Sequence, residues 1–271
     1  MTNDAIPPAQ IDGRWATDAG LIPLAFAGFA HFTAMQVRNK RVRGLDLHLE
    51  RLRSASLALF GEALPDDRVL SYLREAIAVA SPAALSLTAT VFTRSGEFTS
   101  SKGRNDLSLL VRTGPAANGP EGPLKLAAFE HERALPSFKH TGETAKTYYL
   151  RAARQRGYDD AIFLDRHGRL SEATIWNVAF WDGSTVVWPV ADLLPGVTMG
   201  IVRRQLTDLG VPQREAAITL DMVGGFAGAA VMNSWTSGVA IACIADTAIS
   251  VAPNFMELLR TAYLREPEAE I

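Results

Sequence analysis

The sequence predicts an α/β (α+β) protein built from two domains, and three observations support this prediction. Segments with the alternation typical of strands are interspersed with segments that repeat apolar residues at helical spacing. The chain has 271 residues, of which 48% are hydrophobic and 21% charged, so it has enough apolar surface for two cores and too much for a disordered chain. Residues 113–123, TGPAANGPEGP, are the segment densest in proline and glycine and are typical of a linker. We therefore expect an N-terminal domain over residues 1–116, a linker over 117–124 and a C-terminal domain over 125–271.

The N-terminal part contains runs of alternating and β-branched residues that predict four strands, at residues 31–37, 41–45, 85–94 and 106–113. Two helices are expected between the second and third strands. The first, LHLERLRSASLALF, follows Asp46, which we expect to cap it, and it places leucines on one face. The second is predicted from Asp66 to Ala80 and begins with two acids, as helices often do.

The C-terminal part is predicted to begin with a strand at residues 124–132, followed by a helix around YYLRAARQR that Gly157 ends. The strand AIFLD then enters a hairpin turn over residues 165–168, and a second hairpin joins NVAFWDG to TVVWPV. Pro195-Gly196 leads into a further helix, TMGIVRRQLTDL, which Gly210 is expected to cap.

Composition and charge exclude several classes of function. Lys and Arg number 27 against 29 Asp and Glu, a formal net charge of −2, so no basic field suits nucleic acid or an anionic membrane. Cys243 is the single cysteine, which excludes an intramolecular disulfide and favours a reducing, cytoplasmic compartment. The N-terminal residues lack the basic start and apolar centre of a secretory signal, and the apolar run at residues 21–37 is too short and too interrupted to span a bilayer comfortably. We expect no metal, because no His, Cys, Asp or Glu cluster has metal-ligand spacing.

Four separated segments together suit one chemical purpose. Lys139 stands in LPSFKHTG ahead of a helix, and Glu172 stands in GRLSEATIWN where a strand leaves a turn. LLPGVT, residues 193–198, is a turn that opens a helix, whose N–H groups and positive dipole end suit a phosphate. VMNSWTSG, residues 231–238, is a hydroxyl-rich loop after an apolar strand. An amine, a carboxylate, a helix N-terminus and hydroxyls are what an aldehyde cofactor with a phosphate tail requires, although each segment alone indicates little.

Lysines are scarce, so a reaction that needs an amine nucleophile has only five candidates: Lys40, Lys102, Lys125, Lys139 and Lys146. Lys146 is the competitor of Lys139 for such a role, and the spacing to Gly157 favours Lys139. A lysine that attacks an aldehyde must be deprotonated, so its pKa has to fall from a free value of ~10.4. Burial beside a cationic ring lowers the pKa in this way.

The order of these segments resembles the class IV (fold type IV) family of pyridoxal-phosphate enzymes, which includes branched-chain and D-amino-acid aminotransferases and aminodeoxychorismate lyase. The resemblance covers roughly residues 30–245 and rests on Lys139, GYDDAIFLDRHGRLSEATIWN, LLPGVT and NSWTSG, with HLERLRSA near its start. It implies a smaller N-terminal α/β domain, a larger C-terminal pseudo-barrel domain and pyridoxal 5'-phosphate held between the two. It also implies a homodimer.

The resemblance further implies a role for each matching residue. Lys139 would bind the cofactor through a Schiff base and then move a proton, and Glu172 would face the pyridine nitrogen and keep the ring protonated. Arg51 and the backbone of Val197 and Thr198 would hold the phosphate. Further help to the phosphate is implied for the hydroxyls of Thr198, Ser234 or Thr236, and Asn177 is implied to steady the loop of Glu172.

The chain departs from the family pattern in places that bear on the substrate. His31-Phe32-Thr33 stands where many members have Phe-Glu, Met199 follows LLPGVT where most have Arg, and HTGETAKTYY stands where many have Asn-Tyr. The partner of the cofactor's phenolic oxygen and the binder of the substrate carboxylate therefore stay open. The candidates are Tyr148 and Tyr149 for the former, and Arg38 and Arg133 for the latter.

The leading expectation is a pyridoxal-phosphate-dependent aminotransferase. It would move an amino group between a small-molecule amino donor, either an amino acid or an amine, and a small 2-keto acid. An elimination like that of aminodeoxychorismate lyase is the alternative on the same site. A non-catalytic relative that keeps the fold is the third possibility.

Overall fold

A computed structural model describes residues 9–25, 28–80, 82–95 and 106–271 of the chain. The chain forms two compact units, of which the first comprises Met1–Ala117, Phe138–Gly142 and Glu268–Ile271 and the second comprises Asn118–Ser137 and Glu143–Pro267. Two short segments that we expected in the C-terminal domain thus belong with the first unit, because each of them pairs with a strand of that unit. Lys102, one of the five lysines, lies outside the described residues.

The helices and strands of the described residues follow one another along the chain in the order given below. Up to the first crossing into the second unit they are β1 (Ala9–Ile11), β2 (Arg14–Trp15), α1 (Asp18–Leu21), β3 (His31–Arg38), β4 (Arg41–Arg43), α2 (Leu45–Phe60), α3 (Asp66–Val79), β5 (Ala84–Thr93) and β6 (Leu107–Pro115). They continue with β7 (Leu124–Glu130), α4 (Thr144–Gln155), β8 (Asp160–Leu164), β9 (Leu170–Ala173), β10 (Asn177–Trp181), β11 (Val186–Pro189), α5 (Val197–Asp208), β12 (Gln213–Ala216), β13 (Gly228–Asn233), β14 (Thr236–Ile244), β15 (Thr247–Ala248), α6 (Pro253–Arg265) and β16 (Glu268–Glu270).

The first unit is an antiparallel sheet covered by two helices. Its strand order is β16-β4-β3-β5-β6-β1-β2, so the last strand of the chain closes one edge. Residues of β3 alternate between buried and half-buried, as expected for a strand with one face on the core. Leu52 of α2 and Leu73 of α3 pack into the core beside Met35 and Leu87 of the sheet. The four strands and two helices that the sequence patterns predicted in this region are therefore all present.

The start of α2 differs from the prediction. The helix begins at Leu45, and its N-cap is Gly44, which makes no side-chain capping bond and has a left-handed backbone with φ of 67°. Asp46 therefore lies inside the first turn, and the preceding strand β4 ends at Arg43 and does not extend to residue 45. The positive φ of Gly44 turns the chain sharply from strand to helix, so the cap position falls on a glycine, which has no side chain to accept a capping bond.

The second unit is a mixed sheet of nine strands. Its order is β12-β11-β10-β13-β14-β7-β8-β9, with β15 beside β14, and the β14–β7 and β7–β8 pairs are parallel. Helices α5 and α6 pack through Leu206 and Phe255 against one apolar cluster, while Trp176 and Phe180 belong to another. Helix α4 begins at Thr144, about one turn before the predicted YYLRAARQR segment, which places Lys146 in its first turn. Within the described part of the chain, no helix is both long and apolar enough to cross a membrane.

Two of the buried histidines of the first unit, His31 and His48, are held by hydroxyl groups. His48 of α2 shares a hydrogen bond of 2.6 Å with the hydroxyl of Thr33 in β3, and His31 of β3 shares one of 2.9 Å with the hydroxyl of Ser56 in α2. Burial lowers the pKa of His48 to about 3, and the nearby Arg51 adds to this effect while Asp46 opposes it. Burial lowers the pKa of His31 to about 4. Both rings are therefore neutral in the folded chain at neutral pH.

This burial predicts a loss of stability in mild acid. Because the unfolded chain protonates each histidine near pH ~6.5 while the folded chain does not, the free energy of unfolding should decrease as the pH falls below ~6.5. The decrease should approach about 1.4 kcal/mol per pH unit for each histidine, and it should end only as the pH reaches the folded-state pKa. Urea denaturation at pH 7, 6 and 5 measures this slope. The His48→Gln variant should have a shallower slope than wild type, and an identical slope in both would contradict the assignment.

Candidate cofactor site

Glu172 is the centre of the charged groups in the second unit. It lies in β9, where all four residues are buried, and only 3% of the residue is exposed. Its oxygen Oε1 lies 2.9 Å from Nζ of Lys146 and 3.6 Å from Nη1 of Arg133. Its oxygen Oε2 accepts the backbone N–H of Leu194 at 3.4 Å. The two carboxylate oxygens thus have different surroundings, two cations for one and a backbone amide for the other.

The two cations that face Glu172 are themselves buried. Lys146 projects from the first turn of α4, and Arg133 follows β7 and places its Nε 3.1 Å from Oε1 of Glu143. Buried charges are tolerated only when they are paired, and this cluster contains two of each sign. Burial is the largest influence on Lys146 and lowers the pKa of its ammonium, an effect that Glu172 opposes and Arg133 strengthens. We name these four side chains, Arg133, Glu143, Lys146 and Glu172, the Glu172 cluster.

The turn after Glu172 is fixed by a second buried carboxylate. Asp160 at the start of β8 accepts the hydroxyl of Thr174 at 2.6 Å and the indole N–H of Trp176 at 2.9 Å. Both donors lie in the connection between β9 and β10, directly after the strand that carries Glu172. Because a buried donor without an acceptor is costly, these bonds hold the connection in one conformation.

The Pro-Gly turn before α5 is tied to Glu172 through Leu194. The N–H of Leu194 reaches Glu172, and its carbonyl accepts Nδ2 of Asn177 at 2.7 Å. A Cβ atom at Gly196 would lie 1.8 Å from Oδ1 of the same Asn177, so the turn requires glycine here although its φ is an ordinary −63°. Asn177 therefore supports the turn that faces Glu172, whereas the resemblance had implied the loop of Glu172 itself.

Helix α5 presents an N-terminus suited to an anion. It begins at Val197 and runs for 12 residues, and its N-cap, Gly196, makes no side-chain capping bond. The first N–H groups of an α-helix have no acceptor within the helix, and the helix dipole adds a partial positive charge there. The backbone of Val197 and Thr198 is thus arranged as a phosphate site requires.

The hydroxyl-rich segment after β13 contacts the first turn of α5. The hydroxyl of Thr198 donates to the carbonyl of Asn233 at 2.8 Å, so its proton already has an acceptor. The side chain of Asn233 accepts the N–H of Trp235 at 2.8 Å and tightens the turn. Ser234 is half-buried in this turn, and the hydroxyl of Thr236 lies 3.4 Å from the backbone of Gly238. The structure thus brings Thr198 and the turn at residues 233–236 together.

The remaining predicted residues lie in the first unit. Nζ of Lys139 lies 4.9 Å from the ring centroid of Phe32, and the carbonyl of Lys139 accepts the N–H of Phe32 at 2.8 Å. Arg51 is half-buried on α2, close enough to His48 to lower its pKa. Arg38 donates to the carbonyls of Val37 and Leu85, so it serves its own sheet.

The other candidates are Arg133 for the substrate carboxylate and Tyr148 and Tyr149 for the phenolic oxygen of the cofactor. Arg133 was considered for a substrate carboxylate, whereas the structure places it against two carboxylates of the protein itself. Tyr148 is exposed, and the hydroxyl of Tyr149 lies 3.5 Å from the carbonyl of Glu130. The sequence analysis did not foresee the contact between Lys146 and Glu172, because it placed the start of α4 after Lys146.

The second unit fits a phosphorylated pyridine aldehyde. Glu172 supplies a buried, ion-paired carboxylate for a ring nitrogen, and the uncapped N-terminus of α5 supplies donors for a phosphate. Leu194 contacts Glu172 and lies three residues before Val197, the first residue of α5. Both ends of such a molecule would therefore face one short segment of backbone.

Comparison with known proteins places the chain in a family of aminotransferases. A family model described as "Amino-transferase class IV" matches residues 30–244. A protein of Rickettsia felis, described as a probable branched-chain-amino-acid aminotransferase, is 35% identical over 77 residues, which are 28% of this chain and 27% of that protein. The chain thus matches about a quarter of the length of this curated relative.

Solved structures share the fold over nearly the whole chain. The branched-chain aminotransferase from Thermoproteus uzoniensis, determined with norvaline, superposes with a TM-score of 0.84 at 19% identity and covers 97% of this chain and 98% of that one. A protein of Legionella pneumophila described as a candidate 4-amino-4-deoxychorismate lyase superposes with a TM-score of 0.78 at 16% identity, covering 90% of this chain and 93% of that one. The fold therefore matches fold type IV, as the sequence predicted.

The contact between Gly196 and Asn177 yields a prediction. Gly196→Ala should displace the Asn177 side chain and break its bond to Leu194, which lowers the free energy of unfolding by about 1–3 kcal/mol. Gly225→Ala is the matched control, because nothing lies within 4 Å of a Cβ added there. Chemical denaturation measures both variants, and equal stability of the two would refute the steric argument.

Proposed function

Because the chain belongs to the class IV aminotransferase family, we propose that it is an aminotransferase that moves an amino group between an amino acid or amine and a small 2-keto acid. Pyridoxal 5'-phosphate is the cofactor of this family. When bound, this cofactor supplies an electron-accepting ring that stabilises negative charge on the substrate carbon next to nitrogen. The observation that supports the proposal best is the buried Glu172 carboxylate beside the N-terminus of α5.

We assign the chain's own residues to the two ends of the cofactor. Glu172 would accept a hydrogen bond from the ring nitrogen, because it is a buried carboxylate that already pairs with two cations through one oxygen. The backbone N–H groups of Val197 and Thr198 would bind the phosphate, together with Arg51 and with a hydroxyl of Ser234 or Thr236. The Thr198 hydroxyl already donates a hydrogen bond to the carbonyl of Asn233. We therefore assign Thr198 a role through its backbone N–H.

We retain Lys139 as the lysine that binds the aldehyde and moves the proton. The family resemblance of the spacing between Lys139 and the segment GYDDAIFLDRHGRLSEATIWN supports this choice. The position of Lys146 supports it as well, since Nζ of Lys146 lies on the carboxylate that we assign to the ring nitrogen. The aldehyde carbon is attached on the opposite side of the pyridine ring from that nitrogen. A lysine that binds Glu172 is therefore poorly placed to bind the aldehyde.

The relatives favour an amino acid with an aliphatic side chain as donor, and branched-chain amino acids are the first to test. The lyase alternative uses the same cofactor residues, and the two reactions differ in what the protein consumes. An aminotransferase needs a keto acid to complete its cycle, whereas a lyase forms product without one. We also propose that the protein is a homodimer, as the family resemblance implies, and works in a reducing, cytoplasmic compartment, as its single cysteine suggests.

The lysine assignment predicts the outcome of a trapping experiment. The protein is loaded with pyridoxal phosphate, reduced with borohydride and digested, and the labelled peptide is identified by mass spectrometry. We expect the label on Lys139, and we expect Lys139→Ala to lose the visible absorption band of a lysine-bound cofactor. Lys146→Ala should keep that band, because Nζ of Lys146 lies on Glu172 and is poorly placed to bind the aldehyde. A label on Lys146 would reverse the assignment.

The transaminase assignment is tested by a half-reaction screen. L- and D-amino acids and amines are added singly to the loaded protein, and the visible band is followed. We expect one class of donor to bleach the band, and a 2-keto acid to restore it. Steady product formation from an amino donor without any keto acid would instead establish the lyase.

A further inference from the structure

We propose that Lys146 is a positioning residue that acts on the cofactor through Glu172. It occupies Oε1 of the carboxylate, leaves Oε2 for the ring nitrogen, and weakens the preference of the site for a protonated ring. This inference rests on the proposed function, since it concerns the same cofactor. It assigns a task to a lysine that the proposed chemistry leaves without one.

The two oxygens of Glu172 are not equivalent. Oε1 faces Nζ of Lys146 at 2.9 Å and Nη1 of Arg133 at 3.6 Å. Oε2 receives only the longer contact from Leu194, at 3.4 Å, among the contacts described for the second unit. Charge-assisted bonds between nitrogen and oxygen are typically about 2.7–2.9 Å long, so the Lys146 contact is a strong one. The oxygen best able to accept a further proton donor is therefore Oε2.

The charges of the cluster determine how readily a further cation is accepted. Lys146 and Arg133 are the cations, and Glu172 and Glu143 are the anions, so the charges of these four side chains sum to zero. His131 is the other titratable group that interacts with all four, and burial lowers its pKa, so it adds no charge at neutral pH. A protonated pyridine ring would give this buried cluster a net charge of +1, which is unfavourable in a medium of low polarity.

The ring proton and the Lys146 proton therefore compete. With both protons present, the ring cation and the Lys146 ammonium join Arg133 at the single carboxylate of Glu172. Repulsion between these like charges disfavours one of the two protons. Burial already lowers the pKa of Lys146, so this lysine can release its proton more readily than a surface lysine. Without the lysine charge, the cluster would carry −1 and would become neutral on binding a protonated ring. Removing Lys146 should therefore strengthen the preference for the protonated cofactor.

The experiment compares pyridoxal phosphate with 1-deazapyridoxal phosphate, in which the ring nitrogen is replaced by CH. Both probes have the same aldehyde and phosphate, so the ratio of their dissociation constants isolates the contribution of the ring nitrogen. The ratio is measured by equilibrium titration at pH 7.5 for wild type, Lys146→Met and Lys146→Arg. This readout needs no catalysis, and a loss of packing alone would weaken both probes equally.

We expect the preference of Lys146→Met for pyridoxal phosphate over the deaza compound to exceed that of wild type by roughly tenfold, which corresponds to a shift of about one pKa unit by a nearby charge. Lys146→Arg keeps a permanent charge, so its ratio should equal that of wild type or shift the opposite way. Circular dichroism of each variant establishes that it is folded, and Lys146→Gln, which also removes the charge, takes the place of Lys146→Met if that variant does not fold.

The outcomes separate this inference from the proposed function. If wild type binds neither probe, the proposed function fails and the inference fails with it. If wild type binds both probes and the ratio stays within twofold across the variants, only the role of Lys146 is overturned. A label on Lys146 in the trapping experiment would also overturn it, because the lysine would then be at the aldehyde.

Discussion

The negative charge of Glu172, buried in β9, is the feature on which the geometry of the second unit depends. Taking a carboxylate out of water costs several kcal/mol unless cations and hydrogen-bond donors replace the lost solvent. Lys146, Arg133 and the N–H of Leu194 supply these partners from α4, from the loop after β7 and from the turn before α5. Three separate segments of the chain thereby contact one side chain, the carboxylate that we assign to the ring nitrogen of the cofactor.

The contact between Glu172 and Leu194 also connects the two ends of the proposed cofactor site. From Leu194 the hydrogen bonds continue to Asn177, whose side chain fits only because residue 196 is glycine. The next turn of backbone begins α5, and its Thr198 is bonded to the carbonyl of Asn233. A ring nitrogen at Glu172 and a phosphate at α5 would be held by one continuous element, so their separation is fixed before any ligand arrives. Such preorganisation lowers the entropic cost of binding.

Local chemistry explains which parts of this arrangement could be read from the sequence. The alternation in β3, the Pro-Gly turn before α5 and the strand-turn-strand around Glu172 depend on residues that are neighbours in the chain, and the structure has all three. The contact between Lys146 and Glu172 depends on residues 26 apart and on a helix start at Thr144 that no side-chain cap announces. The need for glycine at residue 196 likewise comes from Asn177 on another strand. Tertiary contacts of this kind have no local pattern from which to predict them.

The ion pair between Lys146 and Glu172 can be measured directly, without any cofactor. A double-mutant cycle of Glu172→Gln and Lys146→Met on the free energy of unfolding isolates the energy of their interaction from other effects of each substitution. We predict a favourable coupling of about 0.5–3 kcal/mol, the range typical of residues in contact, because each single variant leaves a buried charge without its partner. Additive effects of the two substitutions would contradict the account, since Glu172 would then owe its position to something other than the cations around it.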